Sequence, residues 1–94
     1  TEYIKLPGGK RIGITGLDNF EYLTKIKAAQ YVQKALNLII VKVVKGEGYD
    51  EKEENALLNE IYTRIPRDVA VKIEYVDEIK RTKSGKIRLI ISEI

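Results

Sequence analysis

The sequence predicts an α+β fold: a three-stranded antiparallel sheet flanked by helices, with a small β-hairpin at the N-terminus. Three observations lead there. Short alternating segments bracket Pro7-Gly8-Gly9, strand-like runs occupy 38–44 and 69–75, and between those runs lies an amphipathic stretch introduced by a capping residue, Asp50.

Taken in order, Tyr3-Ile4-Lys5-Leu6 and Lys10-Arg11-Ile12-Gly13-Ile14 flank a turn in which Pro7 fixes φ and the glycines accept positive φ, so a hairpin is expected over 3–14. Asp18 or Asn19 can cap a short helix running through Phe20 and Leu23. Residues 26–37 are ambiguous. Leu23, Ile26, Ala29, Val32 and Leu36 form a helical stripe, which fits better than the alternation of Ala29, Tyr31 and Gln33.

Residues 38–44 are rich in β-branched side chains, with Ile39, Val41 and Val43 on one face and Lys42 on the other, and Leu36-Asn37 is the expected turn into this strand. Asp50 with Glu53 three residues on reads as a capping box, opening a helix over 51–64. Its Leu57, Leu58, Ile61, Tyr62 and Ile65 share an apolar face, and Pro66 stops it. Val69, Val71, Ile73 and Tyr75 then alternate with Ala70, Lys72 and Glu74 as a half-buried strand, Tyr62 and Tyr75 being assigned to core packing. Residues 80–88 form a polar basic loop, and the apolar tail after it is expected to dock.

At 94 residues the chain holds one domain and one modest core, and 44% hydrophobic with 33% charged residues is the composition of a globular chain. No apolar run approaches the ~18 residues a membrane span needs and no secretory signal opens the chain, so no membrane partner and a cytoplasmic location are expected. Cysteine and histidine are absent, which removes disulfides, thiolate nucleophiles, Ser-His pairs and the usual zinc ligands. Chemistry falls to Lys, Arg, carboxylates and backbone. With no Met and an opening in mid-strand, the chain is expected to be an excised or processed piece of a longer protein.

The net charge of +3 is local. Residues 80–88 carry five basic and no acidic side chains, leaving 12 basic and 14 acidic residues elsewhere. The adjacent Asp77 and Glu78 point apart on an extended segment and are expected to screen this loop rather than to work as an acid–base pair. Asp50, Glu51, Glu53 and Glu54 lack the ligand spacing and glycine of a calcium loop, and helix capping accounts for them.

The sharpest motif is Arg81-Thr82-Lys83-Ser84-Gly85-Lys86-Ile87-Arg88, a glycine turn carrying a lysine between the apolar anchors Ile79 and Ile87. A Walker phosphate loop would need Gly at 80 and Ser or Thr at 87, where Lys80 and Ile87 stand. Thr82-Lys83-Ser84-Gly85-Lys86-Ile87 resembles instead the Thr-x-Ser-Gly-Lys-Ile signature near the end of adenylate-forming ligases. The start, Glu2-Tyr3-Ile4-Lys5-Leu6 and then Gly9-Lys10-Arg11-Ile12, is similar to that family's hinge and hairpin, one residue longer and with Gly13 where the family has Glu. Tyr31-Val32-Gln33-Lys34 and the closing stretch resemble the phenylacetate–CoA ligase and capsule-biosynthesis (CapK-like) branch.

The resemblance spans the chain and implies one C-terminal domain over 1–94: a hinge near 1–3 with Glu2 at the pivot, a hairpin over 3–14, a sheet–helix core over 18–79, and a lysine loop over 80–88. It places residues 29–34 in a strand, against their helical period. It implies that Lys86 is the catalytic lysine of adenylation, supported by Thr82, Ser84 and Gly85, and that Lys5, Gly9 and Arg11 on the hairpin serve transfer to a thiol. An ammonium aimed at charge developing on the α-phosphate is an electrostatic stabiliser of the transition state. ATP, Mg²⁺, a carboxylate and CoA would be held through an N-terminal ATP-binding domain of the same enzyme, with none bound by this piece alone. The rival readings are a nucleic-acid-binding module using Lys80, Arg81, Lys83, Lys86 and Arg88 against phosphates, and a non-catalytic protein-interaction domain.

Overall fold

A computed structural model of the chain describes residues 3–13, 25–85 and 88–94. The expected helix after Asp18 lies outside the described residues. The N-terminal hairpin is present: β1 (Tyr3–Lys5) pairs antiparallel with β2 (Arg11–Gly13), Ile4 facing Ile12. Gly8 and Gly9 turn the chain at φ 90° and 91°, a region open to glycine, and Leu6 N–H donates to Lys10 O at 2.7 Å to close the loop.

The main sheet corrects the expected architecture. It has four strands, not three, and it is mixed, in the order β5-β4-β3-β6. β3 (Ile26–Ala35) and β4 (Leu38–Lys45) form the antiparallel hairpin, turning at Leu36-Asn37 as anticipated, so 26–35 is strand despite its helical stripe. The helix α1 (Glu51–Tyr62) then carries the chain back along the sheet to β5 (Ala70–Tyr75), which is parallel to β4 with Val41 beside Ile73. A return through a helix restores the starting end of the sheet, and that makes the next strand parallel where a tight turn would make it antiparallel. The tail docks as a fourth strand, β6 (Ile90–Ser92), parallel to β3 on the opposite margin. Among the described residues one helix lies on the sheet, and none is long and apolar enough to cross a membrane.

Alternation gives the sheet two faces. On one, Tyr31, Ile39, Val41, Val43 and Ile90 pack against Leu57 and Ile61 of α1, with Ile4 and Leu6 of the first hairpin completing the cluster. Burying each large aliphatic side chain there contributes roughly 1.5–3 kcal/mol. The other face carries Gln30, Val32, Lys42 and Ile91, and the connection from β5 to β6 crosses it.

Asp50 caps α1 in extended geometry, its Oδ1 accepting from Lys52 N–H at 3.0 Å and Glu53 N–H at 3.3 Å, while Glu51, Glu53 and Glu54 meet the positive end of the helix. The reciprocal half of a capping box is replaced: the Glu53 carboxylate pairs with Lys25 at 3.4 Å. Asp50→Ala is expected to cost about 1 kcal/mol, measured as a lower urea midpoint with an unchanged slope. The helix ends at Tyr62 rather than at 64, and Ile65, buried beyond its end, precedes Pro66. Tyr62 is half-buried and its hydroxyl binds the outer edge of β5, donating to Val69 O at 2.9 Å and accepting from Val71 N–H at 3.2 Å. Tyr75, assigned to the core from sequence, is 38% exposed at the rim.

Candidate functional site

The two motif-bearing segments are anchored by two glutamines of one strand. Gln30 and Gln33 both lie in the regular part of β3, three residues apart, and therefore face opposite sides of the sheet. Both are buried. A primary amide carries a donor and an acceptor, so a buried glutamine is stable where the backbone it meets offers the complement.

Gln33 meets the hairpin. Its Nε2 donates to Lys5 O at 2.7 Å and its Oε1 accepts from Lys5 N–H at 3.0 Å, so a side chain stands in for a neighbouring strand. This fixes β1 against the core face. The sequence-identified residues of the hairpin come together there: Lys5 is exposed beyond its backbone clamp, Gly9 lies in the turn, and the Arg11 guanidinium stacks 4.7 Å from the Tyr3 ring centroid. Glu2, the expected hinge, lies outside the described residues.

Gln30 meets the other segment, its Nε2 donating to Arg88 O at 2.9 Å, while Tyr31 N–H donates to Leu89 O at 2.8 Å. The far stem is held by Ile79, buried as the expected anchor. Between the stems Gly85 N–H donates to Thr82 O at 2.9 Å, with Gly85 at φ 84°, a conformation costly for any other residue. The hydroxyls of Thr82 and Ser84 lie 3.0 Å apart, and Arg81 Nη1 donates to Gly85 O at 3.0 Å. Thr82, Ser84 and Gly85 thus form one closed turn, locked by an arginine that the motif reading did not single out. Lys86 and Ile87 lie outside the described residues.

Beneath this segment is a cleft of about 370 Å³, with Lys42 of the sheet at its floor and Lys80, Arg81 and Arg88 also lining it. Glu78 also lines it, and among the described residues neither Asp77 nor Glu78 makes an ion pair. The hairpin set and the loop set are not brought together. They sit on opposite faces of the same four-stranded sheet.

A third cluster is aromatic. Tyr75 donates to Glu54 Oε1 at 2.6 Å, its hydroxyl lies 2.9 Å from that of Tyr49, and the Lys45 ammonium sits 4.2 Å from the Tyr75 ring centroid. Desolvation of the hydroxyl and then the hydrogen bond to Glu54 push the Tyr75 phenol well above its ordinary value; desolvation also raises Tyr49. Both are neutral at physiological pH, and the cluster ties α1 to the end of β5. Among the described residues no group of acidic side chains is arranged to hold a metal ion.

The sequence reading missed Gln30 and the floor position of Lys42. The signal was present for both: a polar residue on each face of an otherwise apolar strand pair asks what it pairs with. A family model described as the CapK C-terminal domain matches residues 7–93. No curated protein matches the chain, and no solved structure does.

Proposed function

Since the chain belongs to the CapK C-terminal domain family, we propose that it is the mobile C-terminal domain of an AMP-forming ligase. Such an enzyme activates a carboxylate with ATP as an acyl-adenylate and passes the acyl group to a thiol such as CoA. Lys86 serves the first step, at the end of the turn built by Thr82, Ser84 and Gly85. The hairpin, with Lys5, Gly9 and Arg11, serves the second. ATP, magnesium and the carboxylate are held by an N-terminal domain, and Glu2 is the pivot between them.

The observation that carries this reading is the placement of the two segments on opposite faces of one sheet, one clamped through Gln30 and the other through Gln33. A rigid body with a motif on each face can present only one of them to a single site at a time. Two successive half-reactions separated by a rotation of the domain use such a body in full. During adenylation, charge builds on the α-phosphate oxygens as pyrophosphate leaves, and an ammonium oriented beforehand lowers that barrier without reorganising at the moment of reaction. Once the adenylate exists the lysine has no further task, and its withdrawal opens the acyl carbon to the thiol.

The test is carboxylate-dependent ATP–pyrophosphate exchange by the full-length protein, compared with the same protein lacking residues 1–94. Exchange that depends on the domain is expected; no exchange with any aryl or alkyl carboxylate removes the reading. The 94-residue chain alone is expected to bind ATP no tighter than about millimolar, near −4 kcal/mol, by calorimetry. Micromolar binding by the chain alone would contradict the division of labour. Titration with single- and double-stranded oligonucleotides at two salt concentrations addresses the nucleic-acid reading, which requires a steep fall in affinity with salt.

A further inference from the structure

Lys42 stands in the middle of β4, an interior strand, with Gln30 of β3 as its direct neighbour. Its side chain is half-buried, yet among the described residues it makes no ion pair and no hydrogen bond. Interior strand positions favour β-branched and aromatic side chains, and an ammonium there carries a desolvation cost that a partner normally offsets. No such partner stands among the described residues. Lys42 lines instead the cleft under the 76–82 segment, where Lys80, Arg81 and Arg88 also contribute and Glu78 is the single carboxylate among the described residues.

Cations of one sign around a walled cleft focus their field and raise the local concentration of anions. Two of them are held in place before any ligand arrives: Lys42 by the sheet, and Arg81 by its bond to Gly85 O. A guanidinium committed through one nitrogen keeps the rest of its fork for phosphate oxygens. Val76, Ile79 and Ile91 give the cleft an apolar wall, and about 370 Å³ lies at the small end of the range for small-molecule sites. Among the described residues no aromatic side chain lines it, which gives a base nothing to stack on there.

We propose that this cleft binds a diphosphate or longer polyphosphate group, with Lys42 at its base and Lys80 and Arg81 at its rim. The charge of such a chain is spread over several phosphates and matches cations distributed along a cleft better than a monophosphate does. The site deepens the ligase reading and rests on it only for the source of the phosphates, which is either the pyrophosphate leaving ATP or the nucleotide end of a thiol acceptor. Because Arg81 touches both the cleft and Gly85, occupancy of the cleft also steadies the peptide that leads into Lys86.

The experiment is amide NMR of the 94-residue chain titrated with pyrophosphate, inorganic phosphate and 3′-phosphoadenosine 5′-diphosphate. Pyrophosphate is expected to move the amides of Gln30, Lys42 and residues 80–82 first, with half-saturation on the order of 1 mM. Lys42→Gln, and separately Lys80→Gln, should weaken it about tenfold, whereas Lys10→Gln on the hairpin should not. Lys80→Gln lies outside the sheet, so its effect stands even where Lys42→Gln disturbs folding. Tighter binding of the nucleotide diphosphate would assign the cleft to the acceptor, tighter binding of pyrophosphate to the adenylation step, and either supports the site. Shifts spread evenly over exposed lysines, equal losses from Lys10→Gln and Lys80→Gln, or inorganic phosphate binding as well as pyrophosphate would overturn it. Cleft binding in a chain whose full-length parent shows no pyrophosphate exchange would keep the site and remove the ligase reading.

Discussion

On the ligase reading, Lys86→Ala in the full-length protein is expected to lower adenylate formation by about 10²–10³-fold while ATP binding changes far less. The substitution removes a cation needed only when charge builds on the α-phosphate, so its effect belongs to the transition state. On the same reading, the variant supplied with preformed acyl-adenylate should still transfer its acyl group at close to the normal rate, because the lysine is needed only until the adenylate has formed. Lys83→Ala is the control within the turn. Lys83 is exposed, and its loss should leave both half-reactions nearly unchanged. Pyrophosphate exchange and single-turnover thioester formation, run side by side on the two variants, make the comparison. Equal loss in both half-reactions, or equal loss from both variants, would mean that the segment acts through general positive charge or through folding.

The second large effect is on stability. Gln33→Leu keeps the volume of the side chain but withdraws both partners of Lys5, and β1 then has no hydrogen-bonded connection to β3. Either Lys5 N–H and C=O stay unpaired, or the hairpin lifts and exposes Ile4 and Leu6, which are buried in the core cluster. Both routes are costly, and a loss of roughly 2–4 kcal/mol is expected in urea unfolding. Gln33→Glu, which keeps an acceptor for Lys5 N–H but loses the donor to Lys5 O, should fall between. A Gln33→Leu variant within about 0.5 kcal/mol of the parent would show that the clamp is dispensable. In the full-length enzyme, the ligase reading adds that Gln33→Leu impairs thiol transfer more than adenylation.

Much of this fold was legible because its cues are local. Pro7-Gly8-Gly9 needs only its own backbone preferences to make a turn, and Asp50 needs only the two amides that follow it. Strand β3 was harder for a physical reason. Its central residues Gln30, Tyr31, Val32 and Gln33 are all buried, two on each face, so the polar–apolar alternation that marks a half-exposed strand is absent. The helical stripe was what remained to read, and the resemblance at 29–34 pointed the right way. The mixed topology was missed although strand, helix and strand follow one another in order, because helix α1 was taken as a flanking element and not as a crossover. Strand β6 has three residues and depends on pairing with β3 about 60 positions earlier, which no local pattern encodes.

At the candidate site, the Thr82, Ser84 and Gly85 turn could be read from residue types alone. Its clamp and the cleft beneath it could not: Arg81 and Gln30 hold the segment, and Lys42 lines the cleft, only because three separate stretches of chain meet across the sheet. Interior polar residues are the legible trace of such meetings, each one marking a place where something complementary must arrive.

The hydroxyl of Tyr62 bears on how this domain behaves in company. Strand β5 is a sheet margin, and margins recruit stray strands from other molecules. By occupying Val69 O and Val71 N–H, with Arg67 laid over its ring at 4.8 Å, Tyr62 closes the first rung of that margin to a newcomer. On the ligase reading the domain turns within a larger body at every catalytic cycle, and an unguarded rung would then invite self-association each time that flank is exposed. One phenol on the crossover helix therefore guards a flank of the sheet against a stray strand.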